Sequence, residues 1–112
     1  MTPVAAATWR WLAQRISAAV LAACVLVHLA TILYATRHGL STEAILARTH
    51  ASRLWPAFYG LFVVAVAVHA PLGLRVILDE WSGLRGRALD VLLLLFALAL
   101  LAGGLRAASA IA

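Results

Sequence analysis

Three long apolar runs, separated by two polar stretches, set the pattern of the chain. The first covers about residues 11–36, and between Ile16 and Ala35 it carries no formal charge and one histidine, His28. The second covers about residues 54–78 and contains His69 and Arg75. The third covers about residues 88–111 and is uncharged from Val91 to Leu105. About 20 helical residues cross a hydrocarbon layer of about 30 Å. Over that length, only a helix satisfies its own backbone in lipid. The pattern therefore predicts an all-α, integral membrane fold: one domain built as a three-helix transmembrane bundle.

The polar stretches refine this picture. Residues 37–53 carry Arg37, His38, Glu43, Arg48, His50 and Arg53. Within them, Ser41-Thr42-Glu43 followed by Ala44-Ile45-Leu46 predicts the start of a short interfacial helix. Residues 79–87 read as a tight connection built on Gly83 and Gly86. Trp9, Trp11, Trp55 and Trp81 fall at the ends of the runs, where amphipathic rings settle at a membrane interface.

Composition agrees with a lipid environment. Hydrophobic residues make up 65% of the 112 and charged residues 12%, against about a quarter charged in soluble domains. A water-soluble fold of this size has too little interior for so much apolar surface. The net charge of +5 comes from nine arginines and no lysine. These bracket the apolar runs instead of forming a stripe, so they report topology and not nucleic-acid binding. Arg10, Arg15, Arg75, Arg85 and Arg87 fall on one side; Arg37, Arg48, Arg53 and Arg106 fall on the other. The short second connection holds two of the first group, which predicts a cytoplasmic N-terminus and an external C-terminus. Absence of lysine beside abundant alanine, leucine and arginine fits GC-rich bacterial coding, hence a bacterial inner membrane. The first run is too long for a signal-peptide core and lacks a small-residue cleavage site, so it reads as a retained helix. The lone Cys24 forms no internal disulfide and reads as a buried thiol.

A few polar residues inside or beside the runs are candidates for chemistry. Ionisable groups deep in a membrane helix are costly and usually partnered. His69 has two readings: a haem-iron ligand, or an imidazole bonded to a neighbouring helix. Gly73, one turn on, leaves room for a flat macrocycle or for a second helix. Arg75 lies nearer the cytoplasmic edge, where it could pair with a haem propionate. Pro71 removes a backbone donor beside the site. His28 is either a packing residue or a metal ligand. It lies about 24 Å from the cytoplasmic end of its run and His69 about 13 Å from the same end of its own, at 1.5 Å per residue. That difference argues against both gripping one haem. Arg15 and Ser17 sit at a depth where a quinone carbonyl needs donors, although Arg15 could simply snorkel. Asp79, Glu80 and Trp81 end the second run at the same level, as a proton relay or as a solvated helix end. His38 and His50 read as solvated loop residues. There is no nucleophile triad, phosphate loop or paired-cysteine motif.

Two blocks of this sequence resemble a known family. Gln14-Arg15-Ile16-Ser17 opens the first run. His69-Ala70-Pro71-Leu72-Gly73-Leu74-Arg75-Val76-Ile77-Leu78-Asp79-Glu80-Trp81 closes the second. Together with the helix count, they resemble the cytochrome b membrane-anchor subunits of succinate dehydrogenase and fumarate reductase, the three-helix hydrophobic subunits of respiratory complex II. The resemblance implies that His69 is an axial ligand of haem b and that Arg75 lies by the haem propionates and quinone pocket. It places Arg15, with Ser17 close by, at the quinone. Glu80 falls at the family's acidic position, eleven residues past the histidine, with Asp79 adjacent. Trp81 stands where one anchor type has a tyrosine, Gln14 where a histidine is frequent, and Trp11 where a serine is common. The implied partners are a flavoprotein subunit, an iron–sulfur subunit and a second anchor that would supply the other axial ligand. Two further readings remain: a haem-free tether for the catalytic subunits, and a small transporter subunit with His28 and His69 as a proton path.

Overall fold

A computed structural model of the chain describes residues 2–111. Four helices follow in order: α1 (Pro3–Arg37), α2 (Thr42–His50), α3 (Leu54–Trp81) and α4 (Gly86–Ile111). Helices α1, α3 and α4 are long and apolar enough to cross a membrane. At 1.5 Å per residue they run about 52, 42 and 39 Å.

Helix α1 begins eight residues before the apolar run does. Thr2 caps it by accepting from the Ala5 amide at 3.1 Å, and Pro3 occupies the first turn, where its missing N–H costs nothing. The alanines that follow are strong helix formers with little apolar density, so hydropathy alone placed the start too late. The far end of α1 closes with the Leu40 amide donating back to the Ala35 carbonyl at 3.0 Å. Helix α2 is the expected interfacial element. Ser41 caps it by accepting from Ala44 N–H at 3.1 Å, Glu43 lies in its first turn, and Arg48 and His50 lie in its last. Helix α3 continues unbroken past Pro71 to Trp81, so Asp79, Glu80 and Trp81 are helical. The tight connection to α4 uses Gly83 and Gly86 at φ +71° and +72°, a region that side chains disfavour.

Helix α3 is the central element, with α1 and α4 both packed on it and α2 lying across one end against α3 and α4. The α3–α4 contact is close because Gly104 has no side chain: a Cβ there would sit 2.7 Å from Val63 Cγ1. Such small-residue contacts are how membrane helices pack without a hydrophobic driving force between them. The interior is correspondingly thin. Among the described residues, the buried apolar side chains are Cys24, Ala65, Pro71, Leu89 and Leu93, while large residues such as Leu26, Leu94 and Leu95 are exposed. Exposed apolar surface on this scale faces lipid.

Candidate functional site

The N-terminal half of α1 runs antiparallel to the C-terminal half of α3, and their register brings the two sequence blocks together. Ser17 is buried, at 6% exposure. Its hydroxyl donates to the Gln14 carbonyl at 3.1 Å, and its oxygen lies 3.4 Å from His69 Nδ1. A serine hydroxyl has one proton to give. With that proton on the Gln14 carbonyl, the oxygen accepts from His69, which puts the imidazole proton on Nδ1. The Nε2 lone pair is then free to bind a metal, and the hydrogen bond orients the ring, as such bonds do for metal-binding histidines. The chemistry of His69 therefore fits a residue that would hold a haem iron.

One turn along, Gly73 receives the Gln14 side chain. A Cβ on Gly73 would meet Gln14 Nε2 at 3.4 Å. The side chain that approaches the bare face of this glycine thus comes from α1. Gln14 Oε1 is buried with no hydrogen-bond partner. An orphaned amide oxygen at this depth costs about 1–3 kcal/mol, so it marks a place where a donor group is missing.

Beside Gln14, a cleft of about 370 Å³ opens between the start of α1 and the Leu72–Val76 turn of α3. Arg10, Trp11, Gln14, Arg15 and Arg75 line it. The Arg15 guanidinium lies over the Trp11 ring, 5.3 Å from its centroid, which holds a long cationic side chain at the cleft wall. Arg75 Nη2 donates to Asp90 Oδ1 of α4 at 2.5 Å. The cleft thus carries three guanidinium groups, one of them paired, and favours an anionic or carbonyl-bearing guest.

The remaining sequence candidates lie elsewhere. Asp79 pairs with Arg85 at 2.9 Å on the exposed rim. Glu80 and Trp81 are exposed at the end of α3, Trp81 at 85%, and none of the three lines the cleft. His28 sits in the other half of the molecule. Its ring lies edge-on to Tyr59 and Phe62 at centroid distances of 6.1 and 5.8 Å, and its Nδ1 is buried without a partner. Phe62 precedes His69 by seven residues, about 10 Å along the helix, so the two histidines occupy different levels. Among the described residues, no three His, Cys, Asp or Glu side chains come together as a metal cluster. Asp90 was missed by sequence reasoning. Gln14 was noticed only as a departure from a motif.

Neither a curated protein nor a solved structure matches the chain. A family model does: the succinate dehydrogenase/fumarate reductase transmembrane subunit, matched over residues 2–105. The match takes in α1, α2, α3 and most of α4, including both sequence blocks and the cleft between them, and the chain belongs to the succinate dehydrogenase/fumarate reductase transmembrane subunit family.

Proposed function

We propose that this chain is the cytochrome b anchor of a succinate–quinone oxidoreductase in a bacterial inner membrane, passing electrons from an iron–sulfur subunit to quinone. The observation that carries the reading is the Ser17–His69 contact, which leaves a basic imidazole nitrogen free inside the membrane span. Haem b, when bound, supplies a one-electron carrier within the bilayer. His69 would hold the iron on one side, with Ser17 fixing the ring. A second anchor subunit would provide the other axial ligand, since His28 is at the wrong level to do so. Arg15 and Arg75 would orient a quinone carbonyl in the cleft, and the vacant acceptor Gln14 Oε1 would take a hydrogen bond from the reduced hydroxyl form. The cleft end of the molecule carries Arg10, Arg15, Arg75, Arg85 and Arg87, so it would be the cytoplasmic end, facing the flavoprotein and iron–sulfur subunits.

The test is the dithionite-reduced visible spectrum of the complex purified through a tag on this chain. A b-type band is expected in the wild type and lost in His69→Ala, with the catalytic subunits still co-purifying. An intact complex without that band would leave the haem-free tether. Purification of this chain without flavin or iron–sulfur partners would leave the transporter reading.

A further inference from the structure

Away from the cleft just described, a second concavity runs from the interfacial helix into the middle of the membrane. Its upper part, about 300 Å³, lies beneath α2 and is bordered by Arg48, Trp55, Tyr59 and His28. Its lower part, about 410 Å³, continues past His28 and Tyr59 along the small-residue face of α4 at Ala99, Gly103 and Ala107. His28, Tyr59 and Ile111 border both parts, so the two form one groove.

The groove has a polar order along its length. At the mouth, the Arg48 guanidinium lies over two rings, Tyr34 at 5.5 Å and Trp55 at 5.2 Å. Among the described residues it forms no ion pair, so a cation is fixed at the membrane surface with its charge uncompensated. Farther in, His28 Nδ1 is buried and has no partner. Beyond His28 the walls are apolar. Gly103 faces open space, with nothing within 4 Å of where its Cβ would be, unlike Gly104 beside it.

From this order of charge, hydrogen-bonding site and apolar channel, we propose that the groove binds one anionic phospholipid. Its phosphate sits at Arg48, a glycerol-ester oxygen is within reach of His28, and one acyl chain lies along Gly103. A phosphate on a fixed guanidinium is a strong, charge-assisted contact. Anionic headgroups also collect at basic sites beside membrane spans.

The experiment uses the protein with the subunits that accompany it from the membrane, reconstituted in nanodiscs of phosphatidylcholine with a minor fraction of spin-labelled phosphatidylglycerol. The readout is the motionally restricted lipid fraction, compared with spin-labelled phosphatidylcholine. The wild type should prefer phosphatidylglycerol several-fold. Arg48→Gln should bring that preference close to one, and Arg48→Lys should keep most of it. Gly103→Leu, which fills open space without touching the α3–α4 contact, should remove the restricted population while the far-UV spectrum stays helical. Unchanged phosphatidylglycerol restriction in both Arg48→Gln and Gly103→Leu would overturn the proposal. So would Gly103→Leu releasing an accompanying membrane subunit with lipid restriction intact, because the groove would then belong to a protein partner.

Discussion

The two adjacent glycines of α4 offer a measurement of helix packing that is internally controlled. In Gly104→Ala, the new Cβ lies 2.7 Å from Val63 Cγ1 and 3.0 Å from Cγ2. That is well inside contact distance and on the stiff β-branched end of a valine. Either α4 retreats from α3 or Val63 leaves its rotamer, and such overpacking costs about 1–3 kcal/mol. Against this, alanine gains up to about 1 kcal/mol of helix propensity over glycine. Gly103→Ala receives the same propensity gain and meets nothing. The difference between the two variants therefore isolates the packing term, expected at about 1–3 kcal/mol, or roughly a 5- to 150-fold change in the folded-to-unfolded ratio. Reversible unfolding in mixed micelles, followed by far-UV circular dichroism, measures both. Val63→Ala removes the two methyl groups, so the double variant Val63→Ala/Gly104→Ala should be more stable than the sum of its singles predicts. The expected coupling is of the same order. Equal stabilities for the two alanine variants, or a cycle without coupling, would show that α3 and α4 do not meet at this register.

Three further outcomes follow from the same geometry. Ser17→Ala leaves His69 in place without its orienting oxygen, so haem retention should fall by about 10- to 100-fold while helicity is unchanged; titration of stripped complex with hemin checks this, and undiminished affinity would remove Ser17 from the site. Thr49→Val deletes the bond that the buried Thr49 hydroxyl gives to the Ile111 carbonyl at 2.8 Å, costing about 1 kcal/mol; faster hydrogen exchange confined to α2 is the expected sign. Asp90→Asn removes the charge opposite Arg75 while keeping an acceptor oxygen, and with Asp90 62% and Arg75 29% exposed the loss should stay below about 1 kcal/mol; a loss of about 3–5 kcal/mol would mean that lipid desolvates the pair.

Much of the fold was legible because lipid imposes a simple rule. Three long apolar runs of sufficient length had to be helices, and the Ser41–Leu46 signal located α2. The ends were harder. Thr2 and Pro3 start α1 by capping chemistry, which leaves no trace in hydropathy. Asp79, Glu80 and Trp81 looked like a loop because they are polar, yet a helix emerging into the interface continues through polar residues. The spacing within one helix does not show what lies opposite it, so in sequence Gln14 is only a departure from a pattern. Its amide is in fact what fills the face of Gly73.

Pairing is what the sequence withheld, and for α3 and α4 it was recoverable. Two antiparallel helices joined by a tight turn meet at positions equidistant from that turn. Arg75 and Asp90 are eight and seven residues from Gly83, and Val63 and Gly104 are twenty and twenty-one. Counting outward from the turn pairs Asp90 with Arg75 from the sequence alone. No such count works for α1 and α3, because α2 stands between them in the chain and no tight turn joins them; their offset shows only in their direct packing. Yet that offset pairs Ser17 with His69, Gln14 with Gly73, and His28 with Tyr59. A single-residue slip of α1 turns each side chain about 100° around the helix, enough to take Ser17 away from His69. The chemistry of the candidate site thus depends on the register in which α1 packs on α3.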